Sequence, residues 1–126
     1  MPEPSAVDRL LAASREVIGH RPGPEELHDV VATGGWVVDI RPVGLRERDG
    51  ELPGAVVIDR NQLEWRLDPT SPHRQAGFDD PDRVVVLVCD EGYASSVAAA
   101  DLRRLGLTAT TDLDGGYQAW RALNRG

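Results

Sequence analysis

Hydrophobic and polar positions along this chain change period several times, and each change marks an element. Over residues 5–18, Val7, Leu10, Leu11, Val17 and Ile18 recur at helical spacing. Ser5 and Asp8 are placed to cap the start of that helix, and Ser14 interrupts its apolar stripe. Gly19-His20-Arg21-Pro22-Gly23 stops it. Pro24, with Glu25 and Glu26 at the positive end, opens a second short helix to about Ala32, closed by Gly34-Gly35. Trp36 to Ile40 predicts a short strand and Ala55 to Ile58 another. Pro42 to Pro53, charged and rich in turn formers, predicts a loop between them. Asn61 to Leu67 predicts one or two helical turns. Asp68 to Asp82, with Pro69, Pro72, Pro81 and Gly77, predicts an exposed connection, and the charges from Glu64 to Asp82 read as solvated.

Arg83 to Cys89 carries the strongest strand signal. Val84-Val85-Val86-Leu87-Val88 lacks alternation, as a central strand covered on both faces does. A turn from Asp90 to Ala94 leads to a helix from about Ser95 to Leu105, capped by Gly106. Ala98, Leu102 and Leu105 share its apolar face, with Asp101 a local misfit. Thr108 to Leu113 predicts a strand, Gly115-Gly116 a turn, and Tyr117 to Leu123 a last helix carrying Tyr117, Trp120 and Leu123 on one side. Short apolar strands alternating with helices specify an α/β domain, a small central parallel sheet flanked by helices.

A chain of 126 residues has room for one such domain. The longest apolar run, Val84 to Cys89, falls far short of the roughly 20 residues of a membrane helix. The start, Met-Pro-Glu-Pro-Ser, has neither the basic nor the apolar part of a secretory signal, and the expected location is cytoplasmic. The single cysteine, Cys89, excludes an internal disulfide and a thiolate zinc site. With 21 acidic and 14 basic residues the net charge is -7, which argues against nucleic acid or an anionic membrane as partner. Every basic residue is arginine. That excludes Schiff-base and P-loop lysine chemistry, and it points to a GC-rich, bacterial coding sequence.

The chemistry concentrates in Val88-Cys89-Asp90-Glu91-Gly92-Tyr93-Ala94-Ser95-Ser96. A buried strand ends in a cysteine, followed by a tight turn with one glycine and a helix start. Open α/β sheets bind ligands beyond the carboxyl ends of their strands, where this cysteine falls. The backbone amides of Asp90, Glu91, Gly92, Tyr93 and Ala94 can curl around the sulfur, and the following helix adds its positive end. Such a cradle favours an anion, either the thiolate or a group carried on it. The bland alternative is a small buried hydrophobe at a strand end.

These residues, with others in order along the chain, resemble the rhodanese-like single-domain sulfurtransferase family. Pro24-Glu25-Glu26-Leu27 resembles the family's opening helix, and Val37-Val38-Asp39-Ile40-Arg41 its Asp-Val-Arg strand end. Gly50-Glu51-Leu52-Pro53-Gly54-Ala55 resembles its Gly-His-Ile-Pro-Gly-Ala turn, and Cys89 to Ser96 its active-site loop. Leu105-Gly106-Leu107 and Leu113-Asp114-Gly115-Gly116-Tyr117-Gln118-Ala119-Trp120 resemble its C-terminal signature. The resemblance implies a three-layer α/β/α domain over residues 23–126, preceded by a helical extension over residues 1–22. It further implies that Cys89 is the nucleophile, taking a sulfane sulfur from a small-molecule or protein-bound donor and passing it to a thiol or cyanide-like acceptor. No metal or organic cofactor is implied. Asp39 and Arg41 are expected to be a structural ion pair behind the site.

One departure bears on the donor. Where family loops carry basic residues, this one has Asp90, Glu91 and Ala94. A carboxylate about 6 Å from the sulfur repels a unit negative charge by roughly 0.7 kcal/mol in water and about 2.8 kcal/mol at an effective dielectric of 20. A doubly charged donor such as thiosulfate feels about twice that. The acidic loop equally suits a persulfide-carrying or sensing module with little turnover. A phosphatase or arsenate reductase would need an arginine closing the loop, and Ala94, Ser95 and Ser96 supply none. Ser95 and Ser96 read as helix caps, Tyr93 as a wall of the mouth, Trp36 and Trp120 as core, and His20, His28 and His73 as surface residues. The first helix is expected at the domain edge, a dimer contact being its alternative.

Overall fold

The computed structural model describes residues 3–124; residues 1–2 and 125–126, which close the two expected spans, lie outside the described residues. Four parallel strands form one sheet: β1 (Trp36–Asp39), β2 (Val56–Val57), β3 (Val85–Val88) and β4 (Thr110–Asp112), in the order β2-β1-β3-β4. Six α-helices accompany them: α1 (Ala6–Ile18), α2 (Leu27–Ala32), α3 (Val43–Asp49), α4 (Leu63–Arg66), α5 (Ala94–Leu105) and α6 (Gly116–Leu123).

The unbroken apolar run of β3 has the expected cause. Val85 and Leu87 point into one core layer, with Val38, Leu63, Leu67, Ala98 and Leu102. Val86 and Val88 point into the other, with Leu27, Val37, Leu52, Leu113 and Tyr117. All four β3 residues are fully buried, so helices cover both faces and the architecture has three layers.

Three local expectations are corrected. Residues 42–53 are not all loop: Val43–Asp49 is helical, with no buried residue. It begins at Pro42, closes on Gly50 at φ +98°, and Asp49 ties it to α6. The pattern was hidden because a helix lying on the surface needs no apolar stripe. Residues 68–82 form no regular element, but they are not simply exposed. Phe78 is 1% exposed and packs edge-on against Trp36, ring centroids 5.2 Å apart.

The stripe of α1 is also only partly right. Ser14 and Ile18 are its buried residues, while Val7, Leu10 and Val17 stay exposed. α1 packs against α5. Ser5 caps the helix as expected, accepting from the Asp8 amide at 3.1 Å.

Candidate active site

From β1 the chain steps outward to β2 and then returns to lay β3 on the other side of β1. The carboxyl ends of β1 and β3 therefore flank the switch point of the sheet, where open α/β domains bind ligands. Asp39 and Val88 are register partners there, so Ile40-Arg41 leaves one strand beside Cys89 leaving the other. A cavity of about 320 Å³ opens over the crevice. Ile40, Pro42, Leu45, Tyr93 and Ala94 give it an apolar lining, and Arg41, Arg60, Asp90 and Glu91 are its charged groups. Cys89 lines it while remaining only 8% exposed.

The loop curls because its carbonyls are held from outside. Tyr117 N–H, at the start of α6, donates to the Cys89 carbonyl at 2.8 Å, and Gln118 N–H donates to the Asp90 carbonyl at 3.0 Å. The Gly92 carbonyl accepts from Arg15 and Arg21. In a trans peptide the C=O and the next N–H point opposite ways. These bonds accordingly turn the amides of Asp90 and Glu91 away from α6, and that of Tyr93 away from Arg15 and Arg21. Two glycines make the path possible. Gly92 sits at φ +89°, and a Cβ on Gly116 would meet Asp90 O, Glu91 N and Gly92 N, each at 2.7 Å.

Of the five expected amides, Gly92 N–H donates to Cys89 Sγ at 3.1 Å. Ser95 N–H, one residue past the expected set, donates at 3.4 Å. The sulfur at rest makes no such bond to the amides of Asp90, Glu91, Tyr93 or Ala94. Glu91 and Tyr93 are exposed at the rim, and Tyr93 forms part of the mouth as expected.

Ser95 and Ser96 are not caps; α5 has Tyr93 at its N-cap and no side-chain capping bond. The Cys89 thiol donates to Ser95 Oγ at 3.1 Å. Both serine hydroxyls in turn donate to Asp112 Oδ2 at 2.7 Å. Asp112 is fully buried at the end of β4 and is paired by Arg21, Nε to Oδ1 at 2.7 Å. Sequence reasoning missed Asp112, Arg15 and Arg21. The available signals were a carboxylate inside a strand, and an arginine on the same helical face as Leu11 and Ile18.

Asp39 and Arg41 form the expected ion pair, both buried, with Nη2 and Oδ2 2.8 Å apart. Arg41 also donates to the Gly50 carbonyl at 3.0 Å and lies 3.6 Å from the centroid of the Tyr117 ring. Burial works against its charge, but the hydrogen bond and charge of Asp39 outweigh this and hold it above the ordinary arginine value. Trp36 and Trp120 pack against the core without being fully buried. His20, His28 and His73 are exposed, and none lines the cavity. Among the described residues no cluster of three or more His, Cys, Asp and Glu is gathered to hold a metal ion.

Asp90 is drawn aside by α6: Gln118 Nε2 donates to its Oδ1 at 2.9 Å and to Asp49 Oδ2 at 3.0 Å. The Arg48 hydrogen bond, helped by Gln118 and Arg121, lowers the Asp49 carboxyl from 3.8 to about 2. With the folded value below the unfolded one, the resulting stability is present above about pH 4 and is lost as pH falls through 2. Asp49→Asn should therefore be less stable than the parent at neutral pH. The difference should shrink between pH 4 and pH 2 in urea unfolding measured across that range.

Residues 23–123 match the family of rhodanese-like domains. The thiosulfate sulfurtransferase GlpE of Pseudomonas aeruginosa is 32% identical over 82% of this chain and 84% of its own. A solved structure from Rhodopseudomonas palustris, described as a protein of unknown function and possible tyrosine phosphatase, is 30% identical with a TM-score of 0.83, covering 98% of this chain and 96% of that one. The human single-domain sulfurtransferase TSTD1 shares the fold at 24% identity and a TM-score of 0.66, over 82% of this chain and 96% of that one.

Proposed function

We propose that this chain, which belongs to the rhodanese-like family, is a sulfurtransferase that carries a sulfane sulfur on Cys89 and accepts it from a persulfide in preference to thiosulfate. The observation that carries the reading is a lone sulfur bonded by the Gly92 and Ser95 amides and open to the cavity between β1 and β3. Once the thiol proton has left to solvent, the Cys89 thiolate attacks the outer sulfur of a donor R–S–SH. The donor S–S bond breaks, R–S⁻ leaves with the electron pair, and Cys89 holds a persulfide. An acceptor thiolate or cyanide then attacks that outer sulfur and releases the Cys89 thiolate. Inward-facing amides and the α5 N-terminus favour the anion at both stages.

Residues 23–126 would be the catalytic domain and residues 1–22 its extension. A free thiolate handing sulfur to thiols suits the reducing cytoplasm. Thiosulfate is disfavoured by the apolar wall and by Asp90 and Glu91 at the mouth. Gln118 draws Asp90 aside, so the repulsion sits near its weaker limit, about 1.4 kcal/mol for a dianion. Asp90→Arg reverses that charge and should accordingly raise kcat/KM for thiosulfate about a hundredfold, half of the gain in free energy from the lost repulsion and half from the new attraction, with little change for an uncharged persulfide. Equal kinetics in parent and variant would refute the electrostatic argument.

The test of the activity itself is intact mass. Incubation with a persulfide donor should add one sulfur atom, and a thiol should then remove it. No uptake would overturn the sulfurtransferase reading. Stable uptake without discharge would favour the second reading, a carrier or sensor, which the acidic loop supports.

A further inference from the structure

The polypeptide ahead of residue 23 lies outside the span matched to the family, yet it reaches the sulfur site. Arg15 on α1 donates from Nη2 to the Gly92 carbonyl at 2.8 Å; Arg21, in the connection after α1, donates from its Nη2 to the same oxygen at 2.9 Å. Both lone pairs of that carbonyl are thus occupied by guanidinium groups. Each arginine has further anchors. Arg15 Nε donates to Ser96 Oγ at 3.2 Å, and its guanidinium lies 5.7 Å from the centroid of the Tyr93 ring. Arg21 is the buried counter-ion of Asp112 and also reaches Asp114 at 3.2 Å.

The α6 amides hold the carbonyls of Cys89 and Asp90. The Gly92 carbonyl is held instead by these two side chains, with the Ser96 hydroxyl more distant at 3.3 Å. Gly92, at φ +89°, has no Cβ to restrict it. Without the clasp its peptide could rotate and aim a carbonyl oxygen at an anionic sulfur.

We propose that Arg15 and Arg21 are positioning residues of the sulfur site, which fix the Gly92–Tyr93 peptide so that the Tyr93 amide faces the group carried on Cys89. The proposal rests on Cys89 being the sulfur carrier. Two cations on one carbonyl also polarise the peptide and strengthen its amide as a donor. The charged groups around Cys89 are Arg21 and Asp112 on the inner side and Arg41, Arg60, Asp90 and Glu91 at the cavity. Arg15 acts through Gly92 and Ser96. The Arg21 guanidinium is close enough for the sulfur's charge to help hold it above the ordinary arginine value, Asp112 being the stronger partner against burial.

The experiment is alkylation of Cys89 by iodoacetamide across pH. It needs no sulfur donor and so stands apart from the loading assay that tests the sulfurtransferase reading. Arg15→Met, which strands no buried carboxylate, should slow alkylation at neutral pH about threefold to tenfold and move the pH midpoint upward. Arg21→Lys keeps an ion pair for Asp112 but loses the two-headed contact, and should shift the midpoint in the same direction. Arg9→Met on the same helix, whose exposed guanidinium bonds the Pro4 carbonyl far from Gly92 in sequence, should leave the profile unchanged. Profiles for Arg15→Met and Arg21→Lys that superimpose on the parent would overturn the proposal, even if both variants melt at lower temperature, because a merely structural clasp would move the melting and not the thiol.

Discussion

Cys89→Ser should yield a folded protein that takes up no sulfur from any donor. Serine differs at one atom, and an oxygen there can still accept from the Gly92 and Ser95 amides that meet the sulfur at 3.1 and 3.4 Å. Stability should change by no more than about 1 kcal/mol, the scale of a near-isosteric replacement that leaves no polar group unpaired. The chemistry has no such substitute. Forming a persulfide requires a sulfur nucleophile, and an alcohol with no base beside it is a poor nucleophile at neutral pH. No base touches residue 89 directly: the three histidines are exposed and away from the cavity, and Ser95 stands between it and the Asp112 carboxylate, which Arg21 neutralises. Cys89 is the chain's single cysteine, so no second thiol can mask the loss. Intact mass after incubation with a persulfide should show the added sulfur in the parent and none in the variant. Uptake by Cys89→Ser would place the chemistry elsewhere.

The position of that cysteine was legible in the sequence because it depends on local order: a strand without alternation, one glycine, then a helix. The strands, the last two helices and the Asp39–Arg41 pair were legible for similar reasons, since each is written within a few residues. What escaped was held together across the chain. Arg15 and Arg21 meet Gly92 from 77 and 71 residues away, and Asp112 meets Ser95 from 17. Polar groups at such separations carry no period for a pattern to reveal. Ser95 and Ser96 were misread because a serine in a first helical turn has a local use, and the buried Asp112 behind them outbids it. Helix α3 escaped for the opposite reason: it buries none of its residues, and amphipathic spacing is the signature of burial.

The long-range ties imply that the crevice is braced by charge as well as by packing, and Arg41 is where that can be measured. Arg41→Met should destabilise the fold by about 3–5 kcal/mol, because it leaves the Asp39 carboxylate in the interior without its counter-ion. Asp39 is 0% exposed, and its remaining donor is the backbone N–H of residue 41 at 3.0 Å. Methionine fills much of the arginine volume and can still lie on the Tyr117 ring, so a lost cavity contributes little. Removing both charges separates the two causes. Asp39→Leu/Arg41→Met should recover most of the stability, since an apolar pair of similar volume is close to neutral in place of a buried ion pair. Arg48→Met, which removes an exposed guanidinium from an Asp49 carboxylate that keeps Gln118 and Arg121, should cost under about 1 kcal/mol by comparison. Urea unfolding reads all three. A loss under about 1 kcal/mol for Arg41→Met would mean that water reaches Asp39 in the folded state. The end of β1 would then be too loose to serve as the fixed wall opposite Cys89, and the amides around the sulfur would have to orient a substrate without it.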